Sequence, residues 1–313
     1  MHKCQDDRIF ESAKSTAEWL SSSEAKTMLN RDPYWPKWHS PWWRMHLLME
    51  MDMIDLVPRD FTNQFLEVFN RHYLHFFPLR IEEVPPSVDP VMQIVCQCAL
   101  GSAIKMFTLS LKPDRPVIHW FSDWCRQYQM EDGGYNCDEA AYTRDFPKSS
   151  LISTLPMLEA MLLECKLFGV KEHLPLLEKG AQYYLRRGLV GSSRSPSVSV
   201  DPSWDVPVFP RFYEFDGQRV LKFLKDYAEF VGIALPVEAQ NYHRTLETNI
   251  YGMARESRPF RTVFDSQFSR VLDSSGEFVK GKSESFPLLD MFLDFSVVWP
   301  WLEREFLSGN KQP

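Results

Sequence analysis

Apolar residues recur along this chain at spacings of three and four, and prolines separate the runs. That period is the mark of α-helices with one buried face. From about Arg8 to Leu29, the positions Ile9, Phe10, Ala13, Ala17, Trp19 and Leu20 predict a packed N-terminal helix. Arg31 to Pro41 carries three prolines, which remove donors and push the residues before them toward extended geometry, so no helix is expected there. Ser40 then reads as an N-cap with Pro41 at the first helical position, opening a helix through Trp42, Trp43, Met45, Leu47, Leu48 and Ile54. Pro58 begins an amphipathic helix on Phe61, Phe65, Val68, Phe69 and Tyr73, whereas Val91 to Leu111 is apolar nearly all round and should be buried on most sides. Further helices are predicted at Val117 to Met130, Ser149 to Lys166, Lys171 to Arg187, Phe212 to Ile233, Pro236 to Met253 and Phe286 to Phe306. No run of short alternating strands stands out, and the expected fold class is all-α.

The predicted helices alternate in character. Strongly apolar ones begin near Pro41, Val91, Ser149, Phe212 and Phe286, and more amphipathic ones near Pro58, Val117, Lys171 and Pro236 lie between them. Inner apolar helices inside an outer set of amphipathic ones would satisfy both patterns, so we expect one domain over residues 1–313 in the form of an α/α toroid. Residues 1–30 would pack on it as an N-terminal helix. Residues 191–208, rich in Ser, Pro and Val, form the longest predicted loop, and a loop of that length in a compact domain usually has a function or lacks order.

Gln129-Met130-Glu131-Asp132-Gly133-Gly134-Tyr135-Asn136-Cys137-Asp138-Glu139 sits between two predicted helices and precedes Ser149-Ser150-Leu151-Ile152-Ser153-Thr154-Leu155. Adjacent glycines lose much backbone entropy on folding, which is tolerated where the chain needs positive φ or a close approach to other backbone. This junction resembles the repeat of the squalene-cyclase and protein-prenyltransferase superfamily, in which a Gln and an Asp-Gly-Gly-Trp-like turn join an outer helix to an inner one. Tyr135 stands where tryptophan is usual. The resemblance covers about residues 35 to 260 and looks closest to small single-toroid bacterial relatives. It implies a closed double ring of helices with a central cavity. It does not carry over an activity, because the Asp-x-Asp-Asp acid motif of the class II cyclases is absent, and the Asp, Cys and His zinc ligands of the protein prenyltransferases are not found at the family spacing.

Composition narrows the partners. Hydrophobic residues make up 44% and charged residues 25% of the chain, with 10 Trp, 11 Tyr and 23 Phe. Such a share of aromatics must line a core or a cavity. A net charge of −7 argues against nucleic acid. No window approaches about 18 uninterrupted apolar residues, so no membrane span is expected. The six cysteines lack paired zinc-type spacing, Cys96 and Cys98 are expected on two sides of a helix, and reduced thiols in a cytoplasmic protein are the expectation.

The candidate catalytic residues are Asp132, Glu50 and Asp216, carboxyls that could exchange protons if a dry aromatic surrounding raised their pKa. Each has a plainer reading: Asp132 as a turn cap, Glu50 on the solvent side of its helix, Asp216 as half of an i, i+3 pair with Arg219. Trp42, Trp43 and Tyr213 are expected to shape an aromatic pocket, or else a plain core. Tyr135, Asn136, Cys137 and Ser149 would stand at its mouth as substrate-binding residues, with Ser149 able to open a helix toward an anion. No metal or cofactor is assigned, with zinc or magnesium as the alternative. Zinc on Asp132 or Asp138, Cys137 and His243 is chemically permissible, but no spacing selects it. The expected function is a cyclase-like enzyme acting on a mostly apolar, isoprenoid-type small molecule. The alternatives are a non-catalytic scaffold toroid or a zinc-dependent prenyltransferase-like subunit, with a homo-oligomer or a protein partner left open.

Overall fold

The computed structural model describes residues 2–116, 118–256, 269–282, 284–294 and 296–301, and these are mostly helical. The helices are α1 (His2–Leu20), α2 (Ser23–Arg31), α3 (Pro41–Glu50), α4 (Arg59–His72), α5 (Gln97–Leu111), α6 (Phe121–Tyr128), α7 (Leu151–Phe168), α8 (Leu174–Leu185), α9 (Gly217–Val231), α10 (Val237–Glu256) and α11 (Pro287–Met291). Local chemistry sets several of their starts. Ser22, Ser150 and Asp216 are N-caps whose side chains accept from the backbone N–H three residues on. Ser40 caps α3 by position only, since its hydroxyl donates to the carbonyls of Pro33 and Tyr34.

Three departures from the sequence reading have physical causes. The N-terminal helix is two helices, because Ser22 leaves helical geometry to cap α2. The apolar run from Val91 becomes helical only at Gln97, after an irregular stretch whose Met92 carbonyl bonds to His72. An antiparallel hairpin of β1 (Ser269–Leu272) and β2 (Phe278–Gly281) was not expected, and two strands of four residues around the Asp273 turn are too short to register as alternation. Of the run predicted from Phe286 to Phe306, residue 295 and residues 302–306 lie outside the described residues. Among the described residues no helix is long and apolar enough to cross a membrane.

The most extensive helix contact joins α5 to α7. Gly101 makes it possible, since a Cβ there would meet the Pro156 carbonyl carbon at 2.3 Å. Further contacts link α3 with α1 and α5, α4 with α5, α7 with α8 and α9, α9 with α10, and α1 with α11. Rings fill the seams: Phe107 of α5 meets Phe65 and Phe69 of α4 edge-on at 5.1 and 5.5 Å. Each such buried ring contributes about 1.5–3 kcal/mol. Residues 191–208 are not featureless; they hold a bridge between Gly191 and Ser199 and a short turn of 3-10 helix at Pro202–Asp205.

Candidate functional site

Helices α3, α5, α7 and α9 bring charged side chains to a cavity of about 250 Å³: Glu50 at the end of α3, Lys105 in α5, Glu159 and Lys166 in α7, and Arg219 in the first turn of α9 with Lys222 and Asp226 further along it. Met49, Leu109, Leu162 and Phe223 supply apolar wall between them. Glu159 is gripped from two sides. Lys105 Nζ lies 2.6 Å from its Oε2, and the Arg219 guanidinium meets it in a fork, Nε to Oε1 at 2.8 Å and Nη2 to Oε2 at 2.7 Å. Burial alone would raise the Glu159 pKa, but Arg219 and Lys105 together hold it well below the usual carboxylate range. Lys105 itself is lowered, its burial outweighing the help of Glu159.

Glu50 is in the opposite condition. Burial raises its pKa, against the pull of backbone hydrogen bonds and of Arg219 and Arg211. The backbone N–H of Arg211 donates to Oε2 at 2.5 Å and that of Phe212 to Oε1 at 2.6 Å. His46, one helical turn earlier, places Nε2 3.4 Å from Oε1, and burial drives this imidazole well below its usual pKa, so it is neutral. Asp216 serves the same loop from its other end. Its carboxylate accepts from the N–H of Val208 and the Arg211 guanidinium through Oδ2, and from the N–H of Arg219 through Oδ1. The expected side-chain pairing of Asp216 with Arg219 is therefore corrected: the backbone N–H of Arg219 makes that contact, while its guanidinium is committed to Glu159.

Backbone strain gathers around this place. Asp52, which lines the cavity, has φ 56°, Phe212 has φ 51°, and Trp38, stacked on Phe212 at 5.2 Å, has φ 68°. Non-glycine residues in the left-handed region carry a local cost that packing must hold, and such residues cluster at functional sites. Trp42 and Trp43 are about 1% exposed; Trp43 meets Phe212 edge-on and donates its indole N–H to the Tyr34 carbonyl, while Trp42 packs in the core against Phe65 and Phe69. Tyr213 is half-buried, stacked on Trp38 and edge-on to Trp43.

The other predicted residues assemble at the glycine turn. Gly133 has φ 97° and lies so close to the Lys179 carbonyl that a Cβ would meet its oxygen at 2.3 Å. Gln129 Nε2 closes the turn by donating to the carbonyls of Gly133 and Leu176. Asp132 takes a hydrogen bond from the Ser149 hydroxyl and another from the Gly134 N–H, and pairs with Arg187 at 3.0 Å. Tyr135 is fully buried, its hydroxyl on the Cys125 carbonyl, and its backbone bridges to Ser150. Asn136 braces the next loop through the Lys148 carbonyl and the Asp138 N–H.

Cys137 follows, and here the structure corrects the reading of Cys96 and Cys98 as facing two sides of a helix. Cys96 is the N-cap of α5, with φ −80° and ψ 165°, so its side chain departs from the helical path. Its Sγ lies 3.1 Å from that of Cys98, and Cys137 Sγ lies 3.6 Å from Cys98 Sγ. Hydrogen bonds from Cys96 and Cys98 lower the Cys137 pKa well below the thiol range, and the same sharing pushes Cys96 up to about 12 and raises Cys98. The zinc grouping of Asp132 or Asp138 with Cys137 and His243 is not among the clusters with metal-ligating geometry in the described residues, whereas Cys96, Cys98 and Cys137 are.

The predicted residues thus fall into two groups. Glu50, Asp216, Trp43 and Tyr213 surround the loop before α9, Trp42 turns instead to Phe65 and Phe69 of α4, and Asp132, Tyr135, Asn136, Cys137 and Ser149 build the glycine turn. Sequence reasoning missed Lys105 and Glu159, although Lys105 is the lone charge of an apolar helix and Glu159 stands in the middle of another, which is itself a signal. No family model, curated protein or solved structure matches this chain.

Proposed function

We propose that this chain is an enzyme of the α/α-toroid class, akin to the terpenoid cyclases and protein prenyltransferases, that acts on a small amphipathic molecule. In this reading α3, α5, α7 and α9 wall a central cavity, and α4, α6, α8 and α10 wrap outside. Support for closure comes from the Glu50 carboxylate, which ties the end of α3 to the loop entering α9. The substrate places an anionic group, such as a diphosphate or carboxylate, toward Lys105, Arg211 and Arg219, which it shares with Glu159 and Asp216, and an apolar body along Met49, Leu109, Leu162 and Phe223. Glu50 exchanges the proton, with neutral His46 as its relay.

The observation that carries this reading is the division of labour between two buried carboxyls. Glu159 is held ionised by two cations, while Glu50 is raised by burial and is the better suited of the two to give and take a proton. At about 250 Å³ the cavity is below the usual range for drug-sized ligands, so a short molecule is expected.

The test combines calorimetric titration with inorganic pyrophosphate and short-chain prenyl diphosphates, and product analysis by mass spectrometry. Wild-type protein should bind and convert a member of the series. Glu50→Gln should still bind but turn over at least about 100-fold more slowly, and Lys105→Met should bind more weakly. If a folded protein binds none of these anions, the reading fails and the non-catalytic scaffold takes its place. Undiminished turnover by Glu50→Gln would remove the acid–base role alone.

A further inference from the structure

The thiol cluster lies apart from the charged cavity and takes no part in the chemistry proposed there. Its three sulfurs come from two rigid elements. Cys96 and Cys98 sit at the N-terminus of α5, and Cys137 lies in the loop before α7, where its backbone N–H donates to Ser153 Oγ in the first turn of that helix at 3.1 Å. The Gly101 contact with Pro156 seats α5 directly on α7, which brings their N-terminal ends together. Two helix N-termini, each with a partial positive charge, therefore face the place where three sulfurs meet. The Cys98 N–H also points at Cys137 Sγ, 3.4 Å away.

The spacing suits a bound ion. Three thiolates about 2.3 Å from a tetrahedral zinc lie about 3.8 Å from one another. Here two of the separations are 3.1 and 3.6 Å, and none exceeds 4.8 Å. All three cysteines are half-buried, so the cluster is shielded without being sealed off. No fourth His, Cys, Asp or Glu joins the group among the described residues.

We propose that Cys96, Cys98 and Cys137 bind one Zn²⁺ ion as three thiolates, leaving a fourth coordination position for water or an exogenous ligand. Each thiol entering the coordination sphere gives its proton to solvent, and no electron changes hands. Three protein ligands with an open position is the pattern of a reactive zinc rather than a purely structural one. Ser153 is a positioning residue, since it fixes Cys137 through the backbone.

The full-length chain, purified under reducing conditions and dialysed against buffer with Zn²⁺ and then without it, should retain one equivalent by elemental analysis. Co²⁺ in its place should give thiolate-to-metal charge-transfer absorption. Cys137→Ser and Cys96→Ser should lose the metal. Cys165→Ser should keep it, because Cys165 lies elsewhere and bonds to the Val170 carbonyl. Ser153→Ala should weaken zinc binding about tenfold or more. A measurement needing no variant guards against misfolding: peptide-mapped alkylation of the wild-type chain should slow at least about tenfold at Cys96, Cys98 and Cys137 when Zn²⁺ is added, and not at Cys125 or Cys165. The proposal is overturned if alkylation at the three is unchanged by Zn²⁺, if Cys137→Ser retains a full equivalent, or if the reduced and dialysed protein carries a Cys98 to Cys137 disulfide in place of metal.

Discussion

Glu50 and Asp132 are both carboxylates that organise a turn, and the contrast between them shows what burial adds to hydrogen bonding. Each is held by backbone N–H groups and has a basic neighbour. The Asp132 side chain is 29% exposed and pairs with Arg187 beside solvent, so water screens its charge. The Glu50 side chain is 13% exposed and shares its cavity with a carboxylate that holds Lys105 and Arg219. The glycine turn is thus a clasp between α6, α7 and α8, whereas the cavity is a place where protonation can be adjusted.

The largest effect should come from stripping the cavity of its anion. Glu159→Ala leaves Lys105 and Arg219 without their carboxylate and is expected to cost about 3–5 kcal/mol, seen as a fall in the urea midpoint. A loss below about 1 kcal/mol would mean that the cavity charges are as well solvated as surface ones, and the contrast would collapse. Acid titration then separates the two cavity carboxyls by sign. Glu159, depressed in the fold, contributes stability that is complete above the unfolded value near 4.3 and is lost as pH falls through its folded value. Glu50, raised in the fold, holds its proton more tightly when folded, so its contribution declines as pH rises from about 4.3 through its folded value. Glu50→Gln should therefore steepen the acid-side loss of stability and Glu159→Gln should flatten it. Equal slopes in all three proteins, followed by circular dichroism, would sink the assignment.

At the clasp the effects should be smaller and insensitive to ligand. Gly133→Ala combines strain at φ 97° with a collision against the Lys179 carbonyl and is expected to cost about 1–3 kcal/mol in thermal melts. Asp132→Asn keeps a turn acceptor and loses the charge opposite Arg187, for about 1 kcal/mol or less, with turnover retained. Loss of turnover on that change would move the chemistry from the cavity to the clasp. Arg59→Ala, which breaks an exposed pair with Asp114, sets the floor, within about 0.5 kcal/mol of wild type.

Periodicity made the helices legible, because a buried stripe must recur every three or four residues whatever its neighbours are. The turn at Gly133 was legible for a similar reason: its requirement is local. What periodicity hid were exceptions to it. Lys105 and Glu159 were passed over as polar positions in apolar helices, though a charge there has to find a partner across the helix seam. Cys96 and Cys98 were read with helical geometry, which fails at a cap because the capping residue is extended. Their meeting with Cys137 depends on a contact between elements 39 residues apart along the chain, and no local rule reports that. Glu50 was singled out for its place on the helix face, yet its strongest partners are backbone groups from a distant loop.

The seat of Gly101 on Pro156 has one more consequence. It fastens α5 and α7 into a single stiff strut, with the sulfurs at its tip and the Lys105 to Glu159 bridge about 10 Å further along, seven residues beyond Cys98. A strut cannot tilt at one end alone. Neither helix can move without the other, so the two places, chemically unrelated, are kept at one fixed spacing.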